Sequence, residues 1–304
     1  MNTNLPRIAV IGTGGTISSL GASSLDVLDY PDFGQKLSCE ALLERFPETR
    51  LVADPVTVTF RQVGSTEIGP NEWVEMRALI HRIARDDPAV AGFVIPHGTA
   101  TLEETGFFLN LTLAVTQPVV LVGAQRPASA LGTDAGMNLV NALQVAGAPE
   151  ARGKGVLAVL NGEIHAARDV VKTSTYRLQT FRSYDFGALG HVDGDGVHFY
   201  RSPSRPHMPD TPFAGSISAR CHGSTLSIPM PAPMARSSMR WSPEAPAGSS
   251  RPGLRRAARP HSNALHSNAR PSPGSWSCNA AAPPAAGSPR AAACARAGSS
   301  PARI

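Results

Sequence analysis

Cysteine is scarce in this chain, with four in 304 residues. The spacing of Cys39, Cys221, Cys278 and Cys294 fits neither a zinc site nor a disulfide framework, so structural metal and disulfide staples are not expected. Long apolar runs are missing too, and nothing approaches the roughly 20 residues a membrane-spanning helix needs. The first apolar stretch, Ile8 to Ile11, is shorter than the hydrophobic core of a signal peptide and already reads as a strand. A cytoplasmic protein with no membrane partner is the expectation.

Acidic residues fail abruptly along the chain. From Ile217 onward there are 11 Arg, no Lys, no Asp and a single acid, Glu244. Taking those from the chain's 28 basic and 23 acidic residues leaves 17 and 22 in positions 1 to 216, a net of −5. The overall charge of +5 therefore belongs to the end of the chain, and the body is acidic. The last Val is Val197, the last Tyr Tyr200 and the last Phe Phe213, beyond which Ala, Ser, Pro, Arg and Gly dominate. Such a composition buries too little apolar area to offset the entropy of ordering, so positions 217 to 304 are expected to be a disordered tail after a domain at 1 to 216.

In that domain the sequence RIAVIGTGGTISS, Arg7 to Ser19, is the stretch around which the chemistry gathers. Ile8 to Ile11 has the continuous apolar character of a strand buried on both faces, and Gly12, Gly14 and Gly15 permit a sharp turn at its carboxyl end. A dinucleotide fingerprint would need a third glycine where Ile17 stands, and a P-loop would need Gly-Lys-Ser/Thr; both are absent. What remains is a turn presenting Thr13 and Thr16 beside backbone donors, which suits a hydroxyl nucleophile next to an oxyanion hole. An ordinary βα turn capped by Thr16 explains the same letters.

Similar endings recur downstream. Ser23 to Phe33, with Tyr30 before Pro31, reads as a mobile loop of the kind that serves as a lid, or as a plain connection with a packed aromatic. Ser38 can cap a helix through Phe46, and Pro55 to Phe60 alternates like a strand ending in Gly64-Ser65-Thr66. Asn71 to Ala84 places Trp73, Met76, Ile80 and Ile83 at helical spacing, a core face. Ala91 to Pro96 is an apolar strand running into His97-Gly98-Thr99-Ala100-Thr101 and a helix opening at Leu102. Val119 to Val122 is followed by Thr133-Asp134-Ala135-Gly136 and a helix through Ala146, and Gly155 to Leu160 is a fifth strand. Alternating strands and helices predict an α/β fold, a doubly wound and mostly parallel sheet with flanking helices, whose strand ends converge on one crevice. Lys172, among apolar and hydroxyl residues, would have a lowered pKa if partly buried and could then act as a base; exposed lysines are the commoner case.

Together IGTGGTI at 11 to 17, IPHGTATLEET at 95 to 105, VVLVGAQRP at 119 to 127, TDAGMNL at 133 to 139 and RDVVKTST at 168 to 175 resemble the bacterial L-asparaginase/glutaminase family, in family order, from Arg7 to Phe213. The resemblance implies an amidohydrolase in which Thr16 is the nucleophile and Tyr30 its partner. Thr99 and Lys172 would be the second hydroxyl and the basic group, and Ser65 and Thr66 would hold the substrate α-carboxylate. It further implies a double displacement on the side-chain amide of asparagine or glutamine, with no metal or organic cofactor and with a homo-oligomeric assembly.

Two departures accompany it. Ala100 stands where the family has an aspartate that binds the substrate ammonium, which should weaken recognition of free asparagine. After Asp210 to Phe213 the family continues into a smaller α/β domain that lends an acidic residue to a neighbouring subunit, whereas this chain has the Arg/Ser/Pro stretch. The codons required by Ile228 to Ala235, read two bases further on, permit Ser-Tyr-Ala-Gly-Ala-Asp-Gly, which resembles the opening of the lost domain. The tail is accordingly read as an out-of-frame translation. Three functions follow: an asparaginase-type enzyme, a catalytically inactive truncated or frameshifted homologue, and a nucleic-acid binder resting only on the tail's 11 arginines.

Overall fold

The computed structural model describes residues 5–214. The chain divides into two units, Met1–Pro233 and Met234–Ile304, and every described residue lies in the first. The expectations for positions 217 to 304, including Cys221, Cys278, Cys294 and the out-of-frame reading, fall outside the described residues.

In chain order the elements are β1 (Arg7–Gly14), α1 (Tyr30–Phe33), α2 (Cys39–Arg45), α3 (Thr49–Val52), β2 (Asp54–Val63), α4 (Pro70–Asp86), β3 (Val90–Pro96), α5 (Leu102–Thr112), β4 (Val119–Val122), α6 (Ala135–Gly147), β5 (Val156–Leu160) and β6 (Glu163–Ala166). They are followed by β7 (Val171–Lys172), β8 (Phe181–Arg182), β9 (Gly190–Asp193) and β10 (Gly196–Phe199). Eight strands form one sheet in the order β10-β9-β6-β5-β4-β3-β1-β2, and β7 and β8 make a separate antiparallel pair. The pairs β2·β1, β1·β3, β3·β4 and β4·β5 are parallel, so their carboxyl ends lie along one edge. Beyond β5 the sheet turns antiparallel through β6, β9 and β10.

Alternation along each parallel strand divides the core. Ile8, Val10, Val94, Val120, Val122, Leu157 and Val159 face the layer that contains Leu42, Leu43, Leu139 and Leu143 of α2 and α6. Ala9, Ile11, Phe93, Ile95, Val119, Leu121 and Val156 face Trp73, Met76, Ile80 and Leu109 of α4 and α5. Burial on both faces is what gives these strands their unbroken apolar sequence. Phe93 and Ile95 are fully buried, and burial of such a side chain contributes about 1.5–3 kcal/mol.

The helix boundaries follow local chemistry. Ser38 Oγ accepts the Ala41 N–H at 3.1 Å and starts α2, as its sequence position predicts. Pro70 opens α4, where its missing N–H costs nothing, while the Glu72 carboxylate takes the Gly69 N–H at 3.0 Å.

Candidate active site

The carboxyl ends of β1, β2 and β3 meet at two glycines. Gly15 has φ +80°, and a Cβ there would collide with the Gly98 backbone; a Cβ on Gly98 would collide with Ser65. Only glycine lets the three turns approach this closely. Thr16 follows one of these glycines and Thr99 the other, so strand ends remote in sequence are brought side by side. Gly123, at the end of β4, borders the Thr99 methyl.

The hydroxyls in these turns have different fates. Thr13 is buried and donates to the Pro96 carbonyl at 2.8 Å, stitching the end of β1 to that of β3. Ser18 and Ser19 donate to the Gly15 carbonyl at 3.1 and 2.9 Å. Thr16 caps nothing: it is half-buried, and its Oγ1 lies 2.9 Å from the Tyr30 hydroxyl in a hydrogen bond. Tyr30 arrives on the segment between β1 and α2, whose base is pinned by Leu37 N–H to the Ser18 carbonyl at 2.7 Å and Leu20 N–H to the Gln35 carbonyl at 2.9 Å.

The second pair is Thr99 and Lys172. Lys172 Nζ donates to Thr99 Oγ1 at 2.6 Å, and the backbone N–H of Lys172 donates to the Glu103 carboxylate in the first turn of α5. Thr99 is 5 % exposed. Burial pulls the Lys172 ammonium below the ordinary lysine range, partly opposed by the Glu103 charge. Burial raises Glu103 above the ordinary glutamate range, opposed by the Lys172 N–H bond. A lysine with a lowered pKa beside a hydroxyl has the parts of a base.

Ser65 and Thr66 lie in a short turn after β2, Ser65–Glu67. Ser65 is half-buried against Gly98, and its carbonyl accepts the Thr101 hydroxyl at 2.7 Å. Thr66 is on the exposed side of that turn, and Ala100 is exposed beside Thr99. The sequence therefore identified residues that the fold assembles as two hydroxyl pairs, with Ser65 at their junction and Thr66 and Ala100 at the rim.

Several residues of this region escaped sequence reasoning. His97 is fully buried, with Nδ1 2.8 Å from the Gly98 carbonyl and Nε2 3.1 Å from Thr105 Oγ1. Asp134 accepts the Gln125 and Arg126 N–H groups at 2.9 and 3.0 Å, holding the turn after β4. Its place before α6 signals a helix cap, yet its carboxylate serves the neighbouring turn instead. Glu103 gave no signal beyond an acid at a helix start.

The asparaginase N-terminal family profile matches residues 7–205. The chain is 40% identical over 210 residues to a probable periplasmic L-asparaginase of Haemophilus influenzae, covering 69% of this chain and 58% of that protein. It is 42% identical over 214 residues to L-asparaginase 2 of Bacillus subtilis, covering 70% and 56%. It is 36% identical over 211 residues to a glutaminase-asparaginase of Pseudomonas fluorescens, covering 69% and 57%. Among solved structures, a probable cytoplasmic L-asparaginase from Campylobacter jejuni superposes with a TM-score of 0.64 at 36% identity, over 68% of this chain and 62% of that one. The chain thus spans less than two thirds of the length of these relatives. Through residues 7–205, it belongs to the asparaginase family.

Proposed function

We propose that the chain is an L-asparaginase-like amidohydrolase acting on the side-chain amide of asparagine or glutamine. The observation that carries this is the pairing of Thr16 with Tyr30 and of Thr99 with Lys172 on strand ends that touch at Gly15 and Gly98. In the proposed sequence Thr16 Oγ1 attacks the amide carbon, its proton passes through the Tyr30 hydroxyl to the amide nitrogen, and the C–N bond breaks to release ammonia. Water, activated at Thr99 and Lys172, then hydrolyses the ester and returns Thr16. Backbone N–H groups beside Thr99 offset the oxyanion charge, typically by about 3 kcal/mol per donor.

Ser65 and Thr66 are assigned the α-carboxylate of the substrate, and Ala100 leaves the substrate ammonium without a carboxylate at that position. The domain assignment, 1 to 216 catalytic with the remainder a tail, a homo-oligomeric state and a cytoplasmic location belong to the same proposal. No helix among the described residues is long and apolar enough to cross a membrane. Ammonia release from L-asparagine and L-glutamine by the purified full chain tests the activity, with Thr16→Ala as control. Release that survives Thr16→Ala, or no release at all, would reject it.

A further inference from the structure

Beneath the Gly98 turn runs a chain of hydrogen bonds whose direction can be worked out atom by atom. The Trp73 indole has only a proton to give, and Nε1–H donates to Thr105 Oγ1 at 2.8 Å. The Thr105 hydroxyl proton is then free to point at His97 Nε2, 3.1 Å away. At the far end the Gly98 carbonyl can only accept, so His97 Nδ1, 2.8 Å from it, must carry the ring proton. Each polar atom in the relay then has a partner. Burial lowers the His97 pKa to about 4, so the ring stays neutral near neutral pH and keeps the acceptor that Thr105 requires.

The consequence lies on the other side of one peptide bond. The Gly98 carbonyl and the Thr99 N–H belong to the same peptide unit, and the only cis bond among the described residues is Met208-Pro209. In a trans peptide those two groups point in opposite directions. Anchoring the carbonyl toward α4 and α5 therefore turns the Thr99 N–H away from that layer, at the turn where Gly98 abuts Gly15 and hence Thr16. Among the described residues this N–H donates to no backbone or side-chain acceptor.

We infer that His97 is a positioning residue: its Nδ1–H fixes the Gly98–Thr99 peptide so that the Thr99 N–H is presented as the donor for the oxyanion formed when Thr16 attacks. The inference rests on the proposed function for the identity of the reaction, while the hydrogen-bond relay is independent of it. Donors held ready before the reaction contribute mainly to the transition state, so their loss should appear in kcat.

The test uses the full chain and three substitutions. Asn places an amide N–H where Nδ1–H stands, Gln places one further out, and Leu offers none. His97→Leu and His97→Gln are expected to lower kcat for ammonia release about 100-fold, with KM changed less than about threefold. His97→Asn is expected to recover most of that loss. Equal losses in all three, or a rise in KM at constant kcat, would overturn the inference. Imidazole ¹⁵N spectra of the wild-type chain give a readout independent of turnover, with a protonated Nδ1 and bare Nε2 expected near neutral pH. The opposite tautomer would overturn the inference even in an active enzyme. A wild-type chain that releases no ammonia rejects the proposed function and the positioning role with it, whereas the ¹⁵N spectra still decide the relay.

Discussion

The two hydroxyl pairs stand on touching turns, but they are built from unlike materials. Thr16 and Tyr30 are half-buried hydroxyls, and Tyr30 belongs to a connecting segment held at its base and also by Gly21 N–H to Ser129 Oγ at 2.8 Å and Leu131 N–H to the Ser24 carbonyl at 2.7 Å. Thr99 is buried on a strand end, its partner is a cation, and that cation's backbone is tied to Glu103 in α5. The contrast teaches a division of labour: a pair of hydroxyls suits bond making at Thr16, whereas a lysine whose pKa burial lowers suits proton transfer at Thr99.

Removing either pair should break this contrast unequally. Thr16→Ala is expected to abolish ammonia release, on the order of 10⁴-fold or more, with the unfolding midpoint hardly moved, as steady-state assay and thermal melts would record. Lys172→Met should lower turnover about 10³-fold and remove the rise of rate with pH that deprotonation of a base produces. Its stability profile has a definite sign. Because the folded pKa lies below the ordinary 10.5, the unfolded chain binds more protons between the two values. Wild type should therefore gain stability relative to Lys172→Met as pH rises through that window, measured by denaturant titration across pH.

The bedding of the Thr99 pair supplies the next test. His97 has a folded pKa of about 4 against an ordinary 6.5, so the unfolded chain alone takes up a proton between those values. Stability present above pH 6.5 is expected to fall by about 3 kcal/mol as pH drops toward 4, a slope that His97→Asn should lack. Tyr30→Phe sharpens the comparison with the smallest effect: the ring is kept, and turnover should fall about 10²-fold with KM little changed, a split that initial-rate kinetics resolves.

The parallel half of the sheet was legible in the sequence because β1, β3, β4 and β5 are buried on both faces and read as apolar runs. The antiparallel half was not. Strands β6, β9 and β10 are four residues each and carry Glu163, His165, His191 and His198, so neither length nor alternation announces them. In the site, strand ends and small hydroxyls marked Thr16, Ser65 and Thr99, and local context marked Lys172 as a possible base and Tyr30 on a lid-like loop. The pairing of Tyr30 with Thr16 and of Lys172 with Thr99 came from family resemblance, since pairing across the fold leaves no local pattern. His97 shows the same limit, because its meaning depends on Thr105 of α5 reaching its ring and on Trp73 of α4 reaching Thr105. The reading of Thr16 as a turn cap gave way because Gly15 holds the cap position of the Thr16–Ser18 turn, no side chain caps it, and Thr16 Oγ1 is bonded to the Tyr30 hydroxyl.

Trapping the covalent intermediate tests the central claim most directly. The full chain, mixed with L-asparagine, quenched in acid and mapped by peptide mass spectrometry, should carry an aspartyl ester on Thr16 and none on Thr99. An acyl group on Thr99, or ammonia release with Thr16 unmodified and dispensable, would contradict the account.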